Sequence, residues 1–104
     1  MEVKRIAVLG AGLMGHGIAQ VCSQVGEFDV TMRDIEQRFI DNGMKMIQDS
    51  LQRYMKKGNI SDQDANQVMS RIHSTLDLKE AVQNADVVIE AVTENPSLKK
   101  SVLA

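Results

Sequence analysis

A chain of 104 residues, 43% hydrophobic and 25% charged, has the composition of an ordinary globular domain, either one small domain or a piece of a larger one. Twelve Lys and Arg against fourteen Asp and Glu leave a net charge of −2, so nothing in the balance calls for nucleic acid or a membrane surface as partner, and no apolar run is long enough to span a bilayer. Cys22 is alone, which excludes a disulfide framework or thiolate cluster and makes a reducing cytoplasm the expected compartment; MEVKRIAVLG enters a strand at once, so no secretory signal is expected.

Ile6 to Leu9 is a continuous apolar run closed by glycine, the pattern of a strand buried on both faces. Beyond the glycines, Ile18, Val21, Cys22 and Val25 fall at i, i+3, i+4 and i+7, which predicts a helix with one apolar face, and Gly26 is placed to end it. Val30 to Arg33 reads as a second strand ending at Asp34. Ile40, Gly43, Met44, Ile47, Leu51, Tyr54 and Met55 then hold one stripe over four turns, predicting a long helix that ends near Gly58. Ser61 is a natural N-cap for another helix, with Ala65, Val68, Met69 and Ile72 on its inner side. Two antiparallel helices thus separate strands two and three, more than a plain crossover requires.

Arg71 to Thr75 supplies the third strand, and Asp77 caps a short helix through Asn84. Ala85 to Val92, ADVVIEAV, reads as a buried fourth strand. Asn95-Pro96 starts a last helix, with proline at the first helical position, where its missing N–H is harmless. Strands alternating with helices define an α/β fold, a doubly wound parallel sheet with right-handed crossovers. It has about four strands in the order 3-2-1-4, with the helical pair inserted between strands two and three. The outer edge of the fourth strand is then open, and an apolar open edge predicts self-association.

The stretch Gly10-Ala11-Gly12-Leu13-Met14-Gly15 lies between the first strand and the first helix. On glycine frequency alone GxGxxG arises in roughly 3% of chains this long, so the motif by itself is weak. Its setting makes it specific: a buried strand precedes it, a helix follows, and Asp34 stands at the end of the next strand. Gly10 permits the tight turn, Gly12 lets the backbone approach a pyrophosphate, and Gly15 lets helix pack close to strand. The helix N-terminus offers unpaired N–H groups and a partial positive charge to the diphosphate. Asp34 can accept hydrogen bonds from both adenosine ribose hydroxyls. The reading is a Rossmann-type dinucleotide cradle. Asp34 also favours NAD over NADP, because a 2′-phosphate about 4 Å away would cost up to roughly 4 kcal/mol at an effective dielectric near 20. Arg33 could meet such a phosphate, but strand alternation aims it to the opposite face from Asp34.

VLGAGLMGHGIAQ, RDI, GMKMIQDSLQRYMKKG and ADVVIEAVTEN together resemble the 3-hydroxyacyl-CoA dehydrogenase family, over essentially the whole chain and in the amino-terminal part of that family's NAD-binding domain. The resemblance implies that Asp34 holds the adenosine ribose, and that Glu94 and Lys99 lie near the nicotinamide end of the cofactor. It implies too that Ser50 and Lys57, on the long helix, touch the coenzyme A part of an acyl-CoA substrate; a lysine suits the phosphates of coenzyme A. The family's catalytic histidine and its partnering glutamate fall in an HFFNP-like segment that does not occur before Ala104. The chain is therefore expected to be a fragment, inactive alone. It lacks a carboxyl-terminal substrate and dimerisation domain, which would make a homodimer of the full-length enzyme.

Neither histidine occupies the position of that base. His16, just inside the first helix, is read as an exposed first-turn residue or a phosphate contact, and His73 as a strand or loop residue. Cys22 reads as a small buried hydrophobe. Glu90, interrupting an apolar strand, is compatible with a structural place or with one close to the cofactor. Two other functions fit the same residues: the NAD-binding half of a different hydroxyacid or sugar-acid dehydrogenase, and a noncatalytic nucleotide-sensing module.

Overall fold

The computed structural model describes residues 3–91. Within them the chain runs β1 (Arg5–Leu9), α1 (Leu13–Gln24), β2 (Asp29–Arg33), α2 (Gln37–Lys56), α3 (Asp62–Ser70), β3 (Ile72–Thr75), α4 (Leu78–Gln83) and β4 (Val87–Glu90). The strands form one parallel sheet in the order β3-β2-β1-β4, as the sequence predicts. Helices α1 and α3 pack with α2 on one face; α4, on the return crossover from β3 to β4, packs on β1, β2 and β3 from the other.

Local chemistry sets the boundaries. The Ser61 hydroxyl accepts the N–H of Asp64 at 3.1 Å and opens α3; the Asp77 carboxylate accepts that of Glu80 at 3.1 Å and opens α4. Gly58, at φ 74°, closes α2 in a left-handed conformation. The core joins Val8, Val30 and Met32 of the sheet to Ile40, Ile47 and Leu51 of α2 and to Ala65 and Val68 of α3. These α2 positions are i, i+7 and i+11, the predicted stripe. Tyr54, assigned to that stripe, is exposed instead.

Three further expectations are corrected. The buried face of α1 is not Val21 and Val25, which are exposed; it is Gly15, Ala19 and Ser23, a stripe of small residues four apart. Ser23 Oγ donates to the carbonyl of Val68 at 2.7 Å, tying α1 to α3. After α1 the left-handed residue is Glu27 (φ 56°), whereas Gly26 supplies closeness: a Cβ there would stand 2.5 Å from the Phe28 ring. Finally, β4 is shorter than Ala85–Val92 and is not buried, because β1 is its only neighbour among the described residues. Val92 and the helix at Asn95-Pro96 lie outside the described residues.

Candidate functional site

β1 ends at Leu9, and Gly10 turns the chain at φ 111°, a conformation that side-chain-bearing residues rarely adopt. The Gly10 N–H donates to the carbonyl of Arg33 at 2.6 Å, fastening the turn to the end of β2. Gly12 is the N-cap of α1 and has no side chain to cap it, and the first turn carries no acidic residue. The first N–H groups of the helix therefore face no competing carboxylate from their own helix, the arrangement that suits an anionic ligand. Gly15 is required by contact: a Cβ there would lie 1.8 Å from the Gly10 carbonyl oxygen. Ala11 is buried and Met14 exposed at the mouth of the loop; Leu13 begins the helix.

Asp34, one residue past β2, turns its carboxylate into this loop. Oδ2 accepts the Ala11 N–H at 2.8 Å, and Oδ1 accepts that of Ile35 at 2.7 Å. Each oxygen keeps a further lone pair for a ribose hydroxyl. Asp34 and the glycines border one cleft of about 260 Å³, closed by Leu9, Arg33, Ile35, Phe39 and Ala91, at the carboxyl ends of β1, β2 and β4. That is where ligands of doubly wound sheets bind. Behind the Phe39 wall, Arg38 lies 4.9 Å over the Phe39 ring and donates to Glu36 at 2.8 Å. A larger cavity of about 420 Å³ lies elsewhere, among Arg5, Asp29, His73 and Glu80. It is on the α4 face towards the starts of β1 and β2, away from the loop.

Arg33 and Asp34 both border the cleft, but their side chains bond to different elements: Arg33 Nε donates to the carbonyl of Leu76 at 3.1 Å, in the β3–α4 turn, while the Asp34 carboxylate accepts from the glycine loop. His16 Nδ1 lies 2.7 Å from the Gly12 carbonyl, which can only accept, so this nitrogen carries the proton and braces the loop. His73 stands 3.9 Å from Asp29, both exposed. Cys22 is half-buried, and burial raises its thiol pKa, which disfavours the reactive thiolate. Glu90 is exposed in β4, in register with Leu9.

Ser50 and Lys57 are not in the cleft. They lie along α2, Ser50 in its third quarter and Lys57 at its C-cap. Seven residues make nearly two turns, so the two positions share one side about 10 Å apart. Gly43 joins this helix to the loop: a Cβ there would stand 2.7 Å from the Ala11 carbonyl oxygen and 3.2 Å from Met32 Cε. The helix that carries Ser50 and Lys57 therefore rests directly on the glycine loop. Neither that contact nor the cleft walls Ile35 and Phe39 belong to a sequence motif; the smallness of Gly43 within an apolar stripe is the one local sign of a close approach. Glu94 and Lys99 lie outside the described residues. Among the described residues no group of three His, Cys, Asp or Glu side chains could hold a metal ion, and no helix is long and apolar enough to cross a membrane.

A glycine-turned loop feeding a helix N-terminus, with an acid at the end of the second strand, defines a Rossmann dinucleotide-binding domain. The family model of the 3-hydroxyacyl-CoA dehydrogenase NAD-binding domain matches residues 5–104, and the chain belongs to that family. It is 43% identical over 95 residues to a probable 3-hydroxybutyryl-CoA dehydrogenase of Deinococcus radiodurans, covering 91% of this chain and 33% of that protein. With the fatty acid oxidation complex subunit alpha of Idiomarina loihiensis it shares 42% over 103 residues, 99% of this chain and 14% of the subunit. The crystal structure of (S)-3-hydroxybutyryl-CoA dehydrogenase from Ralstonia eutropha superposes with a TM-score of 0.87 at 35% identity, covering 98% of this chain and 35% of that one. The chain thus spans between 14% and 35% of the length of these relatives. NAD is the cofactor of the domain that it represents.

Proposed function

We propose that the chain is the amino-terminal, NAD-binding part of a 3-hydroxyacyl-CoA dehydrogenase. Such an enzyme oxidises (S)-3-hydroxyacyl-CoA to 3-ketoacyl-CoA in fatty-acid oxidation or hydroxybutyryl-CoA metabolism, in the cytoplasm. Bound NAD supplies the hydride acceptor. The observation that carries the reading is Asp34, whose carboxylate is oriented by two backbone N–H groups at the rim of the same cleft as Gly10 and Gly12. Asp34 holds the adenosine ribose, and the opening of α1, from Gly12 through Gly15, holds the diphosphate. Glu94 and Lys99 serve the nicotinamide end, and Ser50 and Lys57 the coenzyme A arm. The proton-accepting base belongs to a further, carboxyl-terminal part that completes the enzyme and makes it a homodimer, so this chain alone binds without turning over.

Calorimetric titration of the chain with NADH and NADPH, repeated with Asp34→Ala, tests the cofactor reading. NADH binds in preference to NADPH, and Asp34→Ala weakens it by roughly 1.5–3 kcal/mol, the loss of charge-assisted hydrogen bonds. Preference for NADPH would mean that Arg33 outweighs Asp34 and would overturn the NAD assignment. No binding by a folded sample would overturn the claim that these residues suffice.

The chain taken alone also self-associates through β4, whose Val87 and Val88 are exposed on a strand paired, among the described residues, along one edge. Sedimentation at high concentration shows concentration-dependent dimers, which Val88→Lys abolishes; a clean monomer removes the idea.

A further inference from the structure

Gln20 is a polar residue near the middle of α1 with only 9% of its surface exposed. A carboxamide so placed is retained at little cost only where its polar atoms find partners. Both protons of its Nε2 are used: one goes to Gln24 Oε1 at 3.0 Å, the next turn of the same helix, and the other to Ser50 Oγ, also at 3.0 Å. The second bond crosses from α1 to α2 over thirty residues of sequence. A hydroxyl has one proton and two lone pairs. Because Ser50 Oγ accepts from Gln20, its own proton is left to donate away from the seam between the helices. That side of α2 also carries Lys57, nearly two turns further on.

We infer that Gln20 is a positioning residue: it polarises Ser50 so that the hydroxyl donates to an acceptor-rich ligand lying along α2, the amide carbonyls and phosphates of a coenzyme A arm. The inference rests on the reading of Ser50 as a coenzyme A contact. It gives a physical link between the two binding functions, since α1 presents its N-terminus to the dinucleotide and its middle to the substrate helix. Gln20 touches neither ligand.

The test is a double-mutant cycle read by calorimetry, with coenzyme A as the probe and NADH as the control, on the full chain, Gln20→Met, Gln20→Glu, Ser50→Ala and Gln20→Glu/Ser50→Ala. Gln20→Met keeps length without the donor and weakens coenzyme A about 3–10-fold, with NADH affinity unchanged. Gln20→Glu keeps the shape but draws the Ser50 proton to itself, so it weakens coenzyme A as far as Ser50→Ala does. The double variant is no weaker than Ser50→Ala alone, because the two residues act as one unit. A merely structural Gln20 would instead lower the melting temperature and both affinities together, and that result overturns the inference. So does additivity of the two substitutions, or coenzyme A binding that Ser50→Ala weakens while both Gln20 variants leave it unchanged. Should the unaltered chain ignore coenzyme A, or Ser50→Ala bind it normally, the reading of Ser50 itself has failed and this inference falls with it.

Discussion

β2 and β4 flank β1 on its two sides, both parallel to it, yet their burial is the reverse of what their sequences would rank. β4 reads VVIE and β2 reads DVTMR, so β4 is the more apolar strand. Val30 and Met32 are nevertheless fully buried, while Val87 and Val88 are 37% and 44% exposed. Cover makes the difference. β2 is paired on both edges and has α1 on one face and α4 on the other, whereas β4 is paired only with β1 and no helix packs comparably upon it among the described residues. Apolar composition marks a strand as needing burial; neighbours decide whether it is obtained.

Core truncation is the strongest way to break this comparison. Met32→Ala removes a fully enclosed side chain and is expected to cost about 2–5 kcal/mol, while Val88→Ala on the open strand costs below about 1 kcal/mol. Urea unfolding monitored by circular dichroism at low chain concentration measures both. Equal losses would mean that β4 is as well covered as β2 in solution.

The β2 side can be probed next through the glycine that lets α2 descend on it. Gly43→Ala places a methyl 2.7 Å from the Ala11 carbonyl oxygen and 3.2 Å from Met32 Cε. The backbone oxygen cannot move without moving the loop, so the expected cost is roughly 1–3 kcal/mol, accompanied by weaker NADH binding. Gly17→Ala is the counterpart, because nothing lies within 4 Å of a Cβ there, inside α1. It is expected to stabilise by up to about 1 kcal/mol, the helix-propensity difference. The same unfolding assay separates them, and a neutral Gly43→Ala would show that α2 does not rest on the loop.

How far the sequence revealed these contacts follows from their range. Element order, the Ser61 and Asp77 caps, and the place of Asp34 relative to the glycines depend on residues close in sequence, and all three were legible. The inner face of α1 was misread because hydrophobicity ranks Val21 and Val25 above Gly15, Ala19 and Ser23. Close packing of a helix on its neighbours selects small residues, not apolar ones, and Gly15 is tight against the Gly10 carbonyl. The Gln20–Ser50 bond and the Gly43–Ala11 approach join residues some thirty positions apart. Local patterning contains no term for either, and only the assembled fold brings them together.

The weakest expected effect concerns what holds the open strand in place. Asp86 Oδ2 accepts the backbone N–H groups of Lys4 at 2.8 Å and Arg5 at 3.0 Å, and its own N–H donates to the Arg5 carbonyl at 2.8 Å. These bonds fix the beginning of β4 against that of β1, the register that brings Ala91 beside Leu9 at the cleft. The two N–H donors, Lys4 first, hold the Asp86 carboxyl below its ordinary pKa of 3.8. A depressed folded-state pKa contributes stability that is fully present above the unfolded value and is lost as pH falls through the folded one. Asp86→Asn is therefore expected to melt lower than the unaltered chain by a constant margin above about pH 5, and the margin is expected to close as the solution is acidified below that. The two proteins differ in this one side chain, so the difference between their melting curves isolates Asp86. A margin that persists undiminished to about pH 2 would show that the charge of the Asp86 carboxylate does not carry the anchoring.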